Sequence, residues 1–268
     1  MRLLVNHVTT YLYDQPVRAV VQSHRLRPTI CQNQIENAWK VEVSDGLRGG
    51  CFRDGAGDEI QAWTVLGPVD QITVTVTGDI TTTDQSGILR GQREMIPPVA
   101  WLGDTFATSP DAALRDLAQT ASGSSPLALA HDLSRVVSEA IAYTPGSTSS
   151  ATTAAEALAL GTGVCQDQAH ALITCARVRD LPARYVSGYL FTDAKGESHE
   201  AAHAWAEIWV ESLGWVGFDP ANECCPDERY IRLGSGSDAV SAAPIRGIAR
   251  GPGTETMEIA VAIAQAQQ

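Results

Sequence analysis

The segment Gln71-Ile72-Thr73-Val74-Thr75-Val76-Thr77 alternates with period two, Ile72, Val74 and Val76 on one side and threonine on the other. A helix would scatter these residues around its axis. An extended chain puts the apolar set on one face and leaves the other to water, so the pattern predicts a half-solvated strand. Such a strand needs neighbours, and the first eighty residues supply them. Thr9-Thr10-Tyr11-Leu12-Tyr13 ends at Asp14-Gln15-Pro16, and Ala38 to Val43 alternates and stops at Ser44-Asp45-Gly46. Gly55-Ala56-Gly57-Asp58 reads as a turn, with a strand from Glu59 to Leu66 after it. Short strands separated by turn signals predict an antiparallel sandwich or sheet.

The pattern changes over residues 81–125, where Pro97-Pro98, Ser109-Pro110 and Ser122-Gly123-Ser124-Ser125-Pro126 punctuate the chain. The boundary is expected between residues 85 and 100, giving a β-rich unit, 1–95, and a second unit, 96–268. Ser125 is a natural N-cap with Pro126 in the first helical position. Leu129, Leu133, Val136, Val137, Ala140 and Ile141 follow at helical spacing. Thr153-Ala154-Ala155-Glu156 is a capping box opening a short helix that stops before Gly161. A third helix is expected from about Cys165 to Arg179, with Ala169, Leu172, Ile173 and Ala176 on one face and Pro182 beyond its end. Strands return at 183–190, 203–210 and 215–218, and Met257 to Ile263 alternates and can close a sheet. The fold class is therefore α+β.

Composition excludes some functions. The net charge of −12 argues against a nucleic-acid partner or an anionic membrane surface, both of which call for a basic patch. No apolar run reaches the length of a membrane span, and the one at Leu3-Leu4-Val5 is too short for a signal peptide. The six cysteines, at 31, 51, 165, 175, 224 and 225, are scattered in a large chain, unlike a disulfide scaffold. A cytoplasmic location is the resulting expectation. His199 and His203 lie four apart, but in a strand or loop and with no third ligand apparent. Cys224-Cys225 lacks the C-x-x-C spacing of zinc or redox sites. Neither a metal nor another cofactor is expected.

Three residues carry chemistry. Cys165 follows Gly161-Thr162-Gly163-Val164, whose glycines permit a sharp turn into a helix. At a helix N-terminus the macrodipole and free N–H groups favour a thiolate and can hold an oxyanion. His203 opens the strand His203-Ala204-Trp205-Ala206-Glu207, sharing a face with Trp205, Glu207 and Trp209. A histidine beside a large aromatic suits a general base walled from water. Asp219 lies one strand later, and a carboxylate there would fix the imidazole tautomer and stabilise its cation. Geometry sets a condition: His203 and Asp219 share a face only if the numbers of facing residues sum to an even value. A two- or four-residue loop centred on Ser212-Leu213 gives an odd sum. An odd-length loop or a bulge is therefore required, with Gly214 at positive φ.

The segments Gly163-Val164-Cys165-Gln166-Asp167-Gln168-Ala169, Pro182 to Tyr189, His203-Ala204-Trp205 and Gly214-Trp215-Val216-Gly217-Phe218-Asp219-Pro220 resemble the transglutaminase-like superfamily of papain-type cysteine enzymes. Thr10-Tyr11-Leu12-Tyr13 with Pro16, Leu26-Arg27-Pro28 and Gln34 is similar to the β-rich N-terminal domain of its bacterial peptidase subgroup, and Pro244-Ile245-Arg246-Gly247 to that subgroup's C-terminal segment. The resemblance implies an N-terminal antiparallel β domain followed by a papain-like, transglutaminase-like core of helices packed on an antiparallel sheet. It implies a Cys165–His203–Asp219 triad that attacks a peptide or protein amide and forms an acyl-thioester, resolved by water in a protease or amidase and by an amine in a transglutaminase. Tyr143, Gln166 and Trp205 become candidates for contacting substrate or oxyanion. Two other readings compete: a catalytically silent peptide- or protein-binding scaffold, and an amide-forming biosynthetic acyltransferase. Oligomeric state is not readable.

Overall fold

The computed structural model describes residues 1–192 and 202–266. Four strands come first: β1 (Arg2–His24), β2 (Gln34–Val43), β3 (Gly46–Arg53) and β4 (Glu59–Thr82). β4 absorbs both segments expected as separate strands, 59–66 and 71–77. β1 likewise runs on through Asp14-Gln15-Pro16, where the sequence predicts a stop. Pro16 has no N–H to give a ladder, and the pairing of β1 with β4 breaks register between Leu12 and Val17 and again before Ala19. The irregularity lets one strand continue where a regular one would end. β2 lies against the far end of β4 and β3 against its start. The alternation has the expected consequence: Leu3, Val5 and Tyr11 on β1 and Ile72, Val74 and Val76 on β4 are buried.

A helical segment follows. A 3₁₀ turn over Pro98–Leu102 leads to α1 (Ala112–Thr120), α2 (Pro126–Ala140), β5 (Ala142–Tyr143), α3 (Ala154–Leu160), β6 (Thr162–Gly163) and α4 (Cys165–Val178). Ser125 caps α2 by accepting the Ala128 N–H, and Thr153 and Glu156 form the expected capping box on α3. α1 was not foreseen; Asp111 caps it by accepting the Leu114 N–H. α4 is buried on nearly all sides, with Ala169, Leu172, Ile173 and Ala176 fully enclosed. It packs on a second antiparallel sheet of order β10-β7-β8-β9, built from β7 (Ala183–Leu190), β8 (Ala202–Val210), β9 (Gly214–Phe218) and β10 (Tyr230–Gly236). No helix among the described residues is long and apolar enough to cross a membrane.

β11 (Ile245–Arg250) and β12 (Glu255–Gln265) return to the first sheet, where β11 pairs with residues 19–24 of β1 and β12 with residues 3–13. These last two strands cover the edge of β1 that would otherwise lie bare. The two sheets meet through Leu3, Val5 and Ile80 on one side and Tyr189, Ile231 and Leu233 on the other. Charges join them too. Asp58 before β4 accepts from Arg232 on β10, and Arg232 reaches Glu207 on β8.

Candidate active site

Helix, turn and nucleophile follow in order. α3 ends in Gly161, whose φ of 67° closes it in the left-handed region. Thr162 and Gly163 pair in parallel with Ala142 and Tyr143, and Val164 caps α4, so Cys165 opens the helix. Asp167 secures this corner. Its Oδ2 accepts the Val164 N–H at 2.8 Å and the Thr148 hydroxyl at 2.6 Å. A side chain at Gly163 would strike that carboxylate, its Cβ within 2.8 Å of the Asp167 Cβ. The Asp167 and Gln168 N–H groups both bond to the Val164 carbonyl. Among the described residues, that leaves the Cys165 and Gln166 N–H groups unengaged at the helix start.

The register condition on β8 and β9 is met. Ala206 faces Phe218 and Trp209 faces Trp215, pairs with even sums. The three-residue loop Glu211–Leu213 makes it so, with Gly214 at φ 86°. His203 and Asp219 consequently meet, His203 Nε2 lying 2.6 Å from Asp219 Oδ2. Asp219 is held by three further donors. Its Oδ2 also accepts from Asn222 Nδ2 and the Tyr230 hydroxyl, each at 2.7 Å, and its Oδ1 accepts the Ala221 N–H at 3.0 Å. With Nε2 occupied, Nδ1 is the imidazole nitrogen left to serve Cys165, which lines the same cleft as His203.

Electrostatics follow from these contacts. Burial works against the charged imidazole, but its interactions with Asp219, the hydrogen bond first, and with Cys165 outweigh it and raise His203 to about 10. Burial also works against the Asp219 anion, yet the donors around it hold the carboxyl below its ordinary range. The His203 side chain is 7% exposed and that of Asp219 0%. His203 borders a cleft of about 410 Å³, lined also by Tyr143, Val164, Cys165, Leu190 and Asn222 among others.

The other candidates scatter. Tyr143 lines the cleft. Gln166 turns away: its side-chain amide donates to the Ser150 carbonyl at 3.2 Å, because the loop before α3 offers an acceptor there. Trp205 is also not part of the cleft wall. It lies behind His203, ring centroids 6.4 Å apart, and is buried against Val186, Leu190 and Tyr230. It walls the histidine from water, the role its place on β8 suggested. His199 falls outside the described residues. Sequence reasoning missed Asn222 and Tyr230. Asn222 follows the turn Asp219-Pro220, a signal that was available. Tyr230 opens β10, a strand with no alternation to announce it.

Comparison with known proteins bears on family and fold. The profile of the transglutaminase-like superfamily matches residues 115–220, and that of the bacterial transglutaminase-like N-terminal region matches residues 3–81. An uncharacterised protein of Mycobacterium leprae is 30% identical over 98% of both chains. A protein-glutamine gamma-glutamyltransferase of Pseudomonas aeruginosa is 33% identical, but over only 24% of this chain and 11% of its own. Among solved structures, a candidate cysteine protease from Cytophaga hutchinsonii superposes with a TM-score of 0.74 at 19% identity, covering 100% of this chain and 92% of that one. At that identity the likeness speaks to the fold. With the sheet, the helix start and both family segments in place, the chain belongs to the transglutaminase-like superfamily, in the form that carries the bacterial N-terminal region.

Proposed function

We propose that this protein is a thiol-dependent acyl-transfer enzyme, a transglutaminase-like cysteine peptidase or amidase, with Cys165 as nucleophile, His203 as acid–base and Asp219 as orienting carboxylate. The observation that carries the reading is the 2.6 Å contact between His203 Nε2 and Asp219 Oδ2, made by a histidine that shares its cleft with Cys165. The raised affinity of His203 for its proton favours a thiolate–imidazolium pair. The thiolate attacks the carbonyl carbon of a peptide or protein amide. The carbonyl oxygen takes the electron pair, and the unengaged Cys165 and Gln166 N–H groups are suited to receive it. Imidazolium passes its proton to the leaving nitrogen, the C–N bond breaks, and an acyl-thioester remains on Cys165. Water, deprotonated by the now neutral His203, then attacks the thioester and releases the acid. A primary amine entering the same cleft would give a new amide instead.

The test offers a glutamine-containing peptide with and without a primary amine and follows the protein's intact mass, ammonia release and peptide products. The expected result is an acyl adduct on Cys165, with hydrolysed product when the amine is absent. No adduct and no product from any of a broad set of amide peptides would leave the scaffold reading in its place.

A further inference from the structure

An ionised Asp219 can only accept, and this fixes the direction of every hydrogen bond around it. The Tyr230 hydroxyl lies 2.7 Å from Asp219 Oδ2, so its one proton points to the carboxylate. Its oxygen is then free to accept, and Cys224 Sγ stands 3.3 Å away. Burial and the Asp219 charge work against a Cys224 thiolate more strongly than neighbouring contacts favour one. Cys224 is therefore the thiol, and it donates. A directed chain results, from Cys224 S–H to Tyr230 O–H to the Asp219 carboxylate, which meets His203 and through it Cys165. Tyr230 is held for this. Its ring is buried, edge-on to Trp205 at 5.5 Å and 5.9 Å from the His203 ring.

We infer that Tyr230 is a positioning residue of the active site, whose hydroxyl keeps Asp219 ionised and aimed at His203 and so sets the lowest pH at which the triad works. The role rests on the function proposed above and adds to it a residue from β10, outside every motif of the chain. Without the hydroxyl, Asp219 keeps the Asn222 and Ala221 donors but loses the buried one. The carboxylate then takes up a proton at higher pH, the imidazolium loses its counter-ion, and the Cys165 thiolate fails with it. The ionisable groups around Asp219 are His203 from β8, Tyr230 from β10 and Cys224 from the connecting loop, with Cys165 reached through His203. Arg229 lies 6.0 Å over the Tyr230 ring but is paired with Asp227. None of the others replaces the lost donor.

The test is the pH profile of Cys165 alkylation by iodoacetamide, read by peptide mass spectrometry, in wild type, Tyr230→Phe and a protein carrying 3-fluorotyrosine at position 230. Phenylalanine keeps the ring packing and removes the hydroxyl alone. Its acidic limb is expected to move up by about one pH unit, the size of one hydrogen bond to a charged group, with the alkaline plateau retained. Fluorotyrosine is a stronger donor in nearly the same shape, and its limb is expected to move down. A purely structural role would lower melting temperature and amplitude without moving the limb in opposite directions. His203→Ala serves as the separate control on the triad. If that control slows alkylation while both Tyr230 variants keep the wild-type limb, the role of Tyr230 is overturned and the triad stands. If Tyr230→Phe does not fold, the fluorotyrosine shift alone decides, a fixed limb again overturning the proposal.

Discussion

His203 and Glu207 lie four positions apart on one face of β8, and each belongs to a buried acid–base pair. Around Glu207 both carboxylate oxygens are paired. Arg184 and Arg232 both donate to it; Arg232 continues to Asp58 and Thr29, and Arg184 to Glu94 and Gln92, under the Trp215 ring 4.1 Å away. Burial opposes the Glu207 charge, but the two guanidinium groups outweigh it and bring the carboxyl down to about 2. Around His203 one nitrogen is spent on Asp219, and the ring borders a cleft that Cys165 also lines. The same strand thus holds one cluster closed on itself and one left open at a single place. The closed cluster locks the two sheets together; the open one has a group free to exchange a proton.

Substitutions should separate these roles. The largest expected effect is on chemistry. Cys165→Ala should abolish acyl-adduct formation while leaving the melting temperature near wild type, and His203→Ala should slow turnover by about 10²–10⁴-fold. Removing Glu207 should do the reverse. Glu207→Ala leaves two buried guanidinium groups short of a partner and is expected to cost about 3–5 kcal/mol by urea denaturation, with Cys165 alkylation little changed in the folded fraction. A large stability loss in Cys165→Ala, or a lost active site in folded Glu207→Ala, would erase the distinction.

Acid should sharpen it further. Burial pushes His7, His24 and His170 down to about 4, whereas His203 is raised. Between about 4 and the ordinary histidine value of 6.5, the unfolded chain binds protons at those three sites that the folded one refuses. Stability should therefore fall as pH drops through that window, and the urea midpoint at pH 5 should lie below that at pH 7. His203 has the opposite sign: its contribution is complete below 6.5 and fades as pH rises toward about 10. The smallest effect expected is at the hairpin. Gly214→Ala places a side chain at φ 86° and should cost about 1–2 kcal/mol, with some loss of His203–Asp219 alignment seen as slower alkylation.

Much of this site could be read in the chain because its determinants are local. Gly161 and Gly163 announce a turn, Thr153 and Glu156 a helix start, and the parity of strand pairing demanded the odd loop before Gly214. The nucleophile's helix ends at Val178, one residue from the expected Arg179. What escaped depends on distant partners. β1 passes Pro16 because β4 and β12 hold it on both sides, which no local propensity reveals. The tail joins the first sheet because β1 has a bare edge, not because residues 245–265 differ from a second-sheet strand. β10 reads as buried polar and glycine residues, Arg232, Gly234, Ser235 and Gly236, whose use appears only when Asp58 and Glu207 arrive from elsewhere. Gln166 looked available for catalysis in sequence and is held by Ser150.

The most direct test of the open cluster is the rate of iodoacetamide alkylation at Cys165 against that at Cys51, in wild type and His203→Ala, resolved by peptide mass spectrometry at neutral pH. Cys51 is an exposed thiol pushed above the ordinary thiol value by partial burial and the Glu59 charge, so it serves as the unactivated thiol in the same molecule. The account requires Cys165 to react much faster than Cys51, although it is less exposed, and to lose that advantage in His203→Ala while Cys51 is unaffected. Equal rates at the two thiols in wild type, or a Cys165 rate indifferent to His203, would contradict it.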